Sequence, residues 1–144
     1  MRFVIVGAGA LGSIVAAHLA RAGTPVALLA RGARADHVER HGVALTGLAD
    51  FTTQVPVVRP GATGVDADVV ILCTKTFDTE FALSSVTWAG RPVALSLQNG
   101  ISKNEDLARH FGADQVLGAA ANVSGELLAD GTTPPDWVAM DLFS

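Results

Sequence analysis

The chain has 144 residues, 49% of them hydrophobic, and a formal net charge of −4. That length and apolar content suit one folded domain with a real hydrophobic core and exclude an intrinsically disordered segment. The negative balance leaves no global basic footprint for nucleic acid, so any anion site must be local.

The apolar runs are short and broken by Gly, Pro or charge; none approaches the roughly 20 residues of a membrane span. The start, "MRFVIVGAGALG", reads as a strand and a glycine turn rather than a signal peptide. A soluble, cytoplasmic chain without membrane contact is expected. A single cysteine, Cys73, excludes an internal disulfide. It falls in the apolar run "DVVILCTK" and reads as a small buried hydrophobe. His18, His37, His41 and His110 lack metal-ligand spacing, so no metal is expected.

In chain order, "RFVIVG" (2–7) reads as a buried strand and "ALGSIVAAHLARAG" (10–23) as a helix with Leu11, Val15 and Leu19 inward and Gly23 as its stop. Pro25 to Ala30 is a second strand. The three fit a right-handed βαβ unit with parallel strands. "ARADHVERHG" is a short polar helix ending at Gly42. "VALTGLADFTTQVPVV" is strand-rich, with Pro56 pointing to an edge. "PGATGVDA" reads as a loop and "DVVILCT" (68–74) as a buried strand. "FDTEFALSSVTWA" (77–89) reads as a helix with Phe77, Phe81 and Trp88 available to its inner face.

"RPVALSLQNG" is a further strand. "SKNEDLARHFG" carries a capping-box pattern, Ser102 and Glu105, ahead of a helix. "QVLGAAANVS" (115–124) reads as one more strand. This alternation predicts an α/β fold, a Rossmann-type, doubly wound, mostly parallel sheet. The domain is placed at 1–131. Residues 132–144 form an unmatched apolar tail, with a hairpin through Asp130-Gly131 and a break at Pro134-Pro135. Trp137, Val138, Met140, Leu142 and Phe143 either pack back or meet another chain.

Gly7, Gly9 and Gly12 form G-x-G-x-x-G directly after a strand and at the opening of a helix. The first glycine permits the tight turn, the second lets backbone approach a pyrophosphate, and the third lets helix and strand pack closely. The free N–H groups and helix dipole then face the anion. In that context the motif points to dinucleotide binding. The bland alternative is an α/β domain that uses these glycines only for packing.

A nucleotide-binding unit of this kind usually carries an acid at the end of its second strand, for the ribose hydroxyls. Here Ala30 and Arg31 occupy that region. A guanidinium can pair with phosphate and stack on adenine, so Arg31 predicts NADP(H), with Arg34 assisting. The alternative is two solvated surface charges.

Lys75, Asn99, Asn122 and Ser124 stand at strand ends, where ligands bind in open α/β sheets. Lys75 is a candidate partner for a carboxylate or phosphate, or a solvated helix-start lysine. Asn99 is a candidate hydrogen-bonding group for nicotinamide, ribose or substrate, or a turn former before Gly100.

"MRFVIVGAGALGS", the Arg at the end of the second strand, "ILCTKTFDT" and "SLQNGI" together resemble the N-terminal domain of ketopantoate reductase (2-dehydropantoate 2-reductase), within the 6-phosphogluconate-dehydrogenase-like Rossmann group. The resemblance runs from Met1 to about Gly131. It implies an oxidoreductase that uses NADPH to reduce 2-dehydropantoate to pantoate, in pantothenate biosynthesis. It implies pyrophosphate binding by Gly7, Ala8, Gly9, Ala10, Leu11 and Gly12, and contact of Arg31 with the 2′-phosphate. Lys75 and Asn99 are then cleft residues that meet cofactor and substrate, and Ser124 a cofactor contact.

The family's C-terminal helical domain, with its general-acid lysine, is absent from these residues, so the chain alone is expected to bind NADP(H) weakly and turn over little. The alternatives are a non-catalytic dinucleotide-binding module and a reductase domain for a different keto acid. A homodimer that covers the exposed domain face and tail is also expected.

Overall fold

A computed structural model describes residues 1–47, 50–74, 79–98, 103–124, 132–133 and 137–141. Its centre is a sheet of six parallel strands. β1 (Phe3–Val6) is followed by α1 (Ala10–Arg21), β2 (Val26–Leu29) and α2 (Gly32–His41). An antiparallel pair, β3 (Val43–Leu45) and β4 (Phe51–Thr53), precedes β5 (Val57–Val58). The chain continues through β6 (Val65–Asp66), β7 (Val69–Leu72), α3 (Thr79–Ser84), β8 (Trp88–Ala89), β9 (Val93–Ser96), α4 (Lys103–Phe111) and β10 (Val116–Leu117). It ends with β11 (Ala120–Ser124), β12 (Thr132–Thr133) and β13 (Trp137–Asp141).

The strand order in the large sheet is β10-β9-β7-β1-β2-β5. From β1 the chain first runs one way to β2 and β5, then returns to the other side of β1 for β7, β9 and β10. The order therefore reverses between β1 and β7, and the strand ends diverge there into a crevice.

The expected continuous apolar strands follow from cover on both faces. Ile5, Leu28, Ile71 and Leu95 face one core with Ile14 and Val15 of α1 and Val38 of α2. Their neighbours Val4, Val6, Val70, Leu72 and Ala94 face a second core with Leu83, Leu107 and Phe111 of α3 and α4. Alternate side chains of one strand thus feed two cores, the period-2 geometry of a pleated strand. In α1 the whole run Gly12–Ala17 is buried, while Leu11 and Leu19 are partly buried at its margins.

Several expectations need correction. The segment read as a helix over 77–89 is helical only over Thr79–Ser84. Trp88 instead lies in β8, which pairs in parallel with β6 inside the stretch read as a loop. The aromatic spacing suggested a longer helix, but Val86 and the β-branched Thr87 lead out into strand pairing. Phe81 is not on an inner face: it is 57% exposed.

The single strand read over 115–124 is two. Val116 and Leu117 extend the parallel sheet beside β9, whereas β11 pairs antiparallel with β13. Gly118 separates them. In the tail, Thr132 and Thr133 pair in parallel with Ala44 and Leu45, and Trp137 is in register with Ser124. The Asp130-Gly131 turn, Pro134-Pro135, Phe77 and Ser102 lie outside the described residues. Among the described residues no helix is long and apolar enough to cross a membrane.

Candidate nucleotide-binding site

The site begins where β1 stops. Gly7 N–H donates to Leu29 O at 3.3 Å and Cys73 N–H to Val6 O at 2.8 Å, so the end of β1 is held between β2 and β7. Gly7 has φ +110°, and a Cβ there would come within 2.8 Å of Thr74 Cγ2 and 2.9 Å of Thr74 N. Both the turn and the approach of the next strand demand glycine. At Gly12 a Cβ would meet Gly7 O at 1.8 Å, so helix and turn are in direct backbone contact. At Gly9 a Cβ would meet nothing within 4 Å. The three tasks read from the motif separate physically: two glycines pack protein, and the middle one faces open space.

That space is a cavity of about 420 Å³. Its walls include Gly7, Ala8, Gly9, Arg31, Arg34, Cys73, Thr74 and Phe81. Gly9 caps α1 with no side-chain hydrogen bond, and the first turn of α1 carries no acid. Among the described residues the N–H groups at this helix end meet no capping carboxylate, an arrangement that favours a bound anion.

Among the described residues that line the cavity the charged ones are both arginines, although the chain is negative overall. Arg31 is the N-cap of α2 and is exposed, with its guanidinium 4.8 Å from the centroid of the Phe81 ring. Arg34 does something different. Its Nε donates to Ala8 O at 2.9 Å and its Nη2 to Ser13 Oγ at 2.8 Å. Ser13 is fully buried in α1. Arg34 thus braces the glycine turn against the helix, and burial pulls its pKa below the ordinary arginine value while leaving it a cation. The two arginines, paired in the sequence reading, stand at different parts of the same wall.

A second set of contacts fixes the far side of the crevice. Gln98, buried just beyond β9, donates from Nε2 to Thr74 O at 2.5 Å, Thr74 Oγ1 at 3.0 Å and Thr79 Oγ1 at 2.7 Å. Its Oε1 accepts from Ser96 Oγ at 3.2 Å. One amide therefore ties the ends of β7 and β9 to the first residue of α3. Sequence reading singled out its neighbour Asn99 and passed over Gln98. The available signal was a polar side chain closing the apolar run "VALSL". Cys73 is partly buried in the cavity wall, and its apolar surroundings push the thiol up to about 12.

Of the candidate site residues, Gly7, Ala8, Gly9 and Arg31 share the cavity, and Ala10, Leu11 and Gly12 begin the helix behind it. Lys75 and Asn99 lie outside the described residues. Asn122 and Ser124 do not end a strand of the parallel sheet. Their strand, β11, pairs antiparallel with β13, and Ser124 is its last residue.

Switch-point sheet, glycine turn and cavity together define a doubly wound α/β domain of the Rossmann type. Residues 3–134 match the family described as ketopantoate reductase PanE/ApbA, and the chain belongs to that family of oxidoreductases, corresponding to its N-terminal domain. The 2-dehydropantoate 2-reductase of Pyrococcus horikoshii is 34% identical over 134 residues, covering 85% of this chain and 40% of that protein. The crystal structure of 2-dehydropantoate 2-reductase from Geobacter metallireducens superposes with TM-score 0.80 at 29% identity, over 94% of this chain and 46% of that one. D-mandelate dehydrogenase, solved with NADH and anilino(oxo)acetate, shares the fold with TM-score 0.84 at 22% identity, over 94% of this chain and 45% of that one. The chain thus spans about 40% of the length of the curated relative it matches.

Proposed function

We propose that the chain is the NADPH-binding part of a ketopantoate reductase-like oxidoreductase that reduces 2-dehydropantoate to pantoate. The observation that carries this reading is the cavity itself. It joins an uncapped helix N-terminus and a glycine whose missing Cβ leaves open space to a cationic residue at the end of β2. A pyrophosphate fits the first two features and a 2′-phosphate the third.

In this reading the backbone N–H groups at Gly9 to Gly12 hold the pyrophosphate, and Arg31 holds the 2′-phosphate. Arg34 keeps the glycine turn in shape and adds positive charge behind it. When bound, the reduced nicotinamide supplies hydride to a keto carbon. Lys75 and Asn99 are proposed to orient the keto acid and the nicotinamide, and Ser124 to make a further cofactor contact. Pantothenate synthesis, a cytoplasmic setting and a homodimer belong to the same proposal.

Reduction also needs a proton donor for the developing alkoxide and a closed, dry cleft. Among the described residues that line the cavity there is no lysine, histidine or carboxylic acid to supply that donor, and the 144 residues by themselves are proposed to bind the dinucleotide without appreciable turnover.

Titration with NADPH and NADH, followed by nicotinamide fluorescence, tests the binding reading. Tighter binding of NADPH by tenfold or more supports it; binding of neither sinks it. A turnover assay on 2-dehydropantoate and a panel of other keto acids tests the rest. Family-like rates from this chain alone would overturn the proposed inactivity, and preference for another keto acid would replace the substrate.

A further inference from the structure

We propose that Phe81 is the stacking face for the adenine base, with Arg31 covering the base from its other side; the proposal rests on the dinucleotide reading above. Phe81 stands on α3, on the cavity wall across from the end of β2, and is 57% exposed. An exposed phenylalanine at the rim of an arginine-lined crevice is not explained by the core, because the buried contact of α3 is made by Leu83. The ring face is open enough to accept the planar Arg31 guanidinium at 4.8 Å from its centroid.

A guanidinium and a purine are both flat, and both stack on an aromatic face. The present spacing admits no base between the pair. Two van der Waals spacings require about 7 Å, so Arg31 must rise from the ring as the base enters. Arg31 is exposed and can make that movement without disturbing a packed core. The contact between the two residues then closes the empty slot, and the base replaces the guanidinium on Phe81. Since the neighbouring phosphate group is proposed to meet Arg31, one residue serves both the base and its ribose phosphate.

Calorimetric titration of the full chain with 2′,5′-ADP and with ribose 2,5-bisphosphate, which lacks the base, tests this. Phe81→Ala is expected to weaken 2′,5′-ADP by about five- to fiftyfold and to leave the base-free ligand unchanged, while Phe81→Trp retains 2′,5′-ADP binding. Because Phe81 is exposed, the alanine variant should keep the wild-type melting temperature. An alanine variant within twofold of wild type would overturn the proposal and assign Phe81 to a surface for another domain or a second copy. Equal losses for both ligands would also overturn it, since they would mean a general distortion. Failure of the wild-type chain to bind 2′,5′-ADP would overturn the dinucleotide reading itself, and the stacking role with it.

Discussion

A Cβ placed on Gly12 would lie 1.8 Å from the carbonyl oxygen of Gly7, whereas one placed on Gly9 would touch nothing within 4 Å. The two glycines are therefore separable by experiment. Gly12→Ala must push helix α1 away from the turn, and backbone cannot rotate aside as a flexible side chain can. A loss of about 3 kcal/mol is expected, roughly 10 °C of melting temperature for a domain of this size. Gly9 has φ −75°, which alanine adopts without strain. Gly9→Ala should melt within about 1 °C of wild type yet bind NADPH at least tenfold more weakly, because its methyl enters the space meant for the phosphates. Thermal melts and titrations on the two variants check both halves; an unstable Gly9→Ala would show that the turn is tighter than the structure indicates.

Arg31→Asp reverses charge at the end of β2. If Arg31 meets a 2′-phosphate, NADPH loses charge-assisted bonds worth about 1.5–3 kcal/mol, or roughly ten- to a hundredfold in affinity. NADH has no phosphate there and should change by less than about threefold, or improve where the new carboxylate accepts from the ribose hydroxyls. Parallel titration of both dinucleotides is the measurement. Equal losses would return Arg31 to the role of a solvated surface charge.

The parts legible in sequence were those with strict local rules. Gly7, Gly9 and Gly12 each carry a steric task, and the apolar strands carry burial on both sheet faces, so turn, helix and parallel order could all be anticipated. Less legible were features decided by distant partners. "FDTEFALSSVTWA" has aromatics at helical spacing, but Trp88 is captured by β6, whose two residues carry no strand signal of their own. Arg34, expected to assist Arg31 at the phosphate, is carried by α2 onto Ala8 and Ser13. Gln98 gave no motif, because its role depends on Thr74 and Thr79, 24 and 19 residues away.

Gln98 offers a test of how the crevice wall is held. Gln98→Leu keeps the volume but removes the donor to Thr74 O and the threonine hydroxyls, leaving buried acceptors unpaired at a cost of about 2–3 kcal/mol. Gln98→Glu should be worse at pH 7, since a carboxylate oxygen would face the Thr74 carbonyl that now accepts at 2.5 Å. Lowering the pH protonates that carboxyl and restores one donor, so the glutamate variant should regain stability on acidification while the leucine variant does not. Denaturant melts from pH 7 to pH 4 measure it. A glutamate variant as stable as wild type at pH 7 would mean that the amide is not the tie between β7, β9 and α3.

Cys73 gives a prediction in the alkaline range. Burial pushes its thiol from an ordinary 9.0 to about 12. On raising the pH, the unfolded chain gives up this proton first, near its ordinary value, while the folded chain still holds it. Between the two values the native state binds more protons, so folding stability falls as pH rises from about 9 toward 12. Cys73→Ala removes that titration, and its stability relative to wild type should therefore improve progressively across the same window, whatever the fixed cost of the lost sulfur. The same burial should suppress chemistry at the thiol, because the thiolate is the nucleophile. At pH 8, iodoacetamide should therefore label native Cys73 at least about tenfold more slowly than the denatured chain, the fall in thiolate fraction outweighing the greater nucleophilicity of a higher-pKa thiolate. Rapid native labelling, together with a flat difference between wild type and Cys73→Ala from pH 9 to 11, would show that water reaches the thiol and that the crevice between β1 and β7 is wetter than its walls imply.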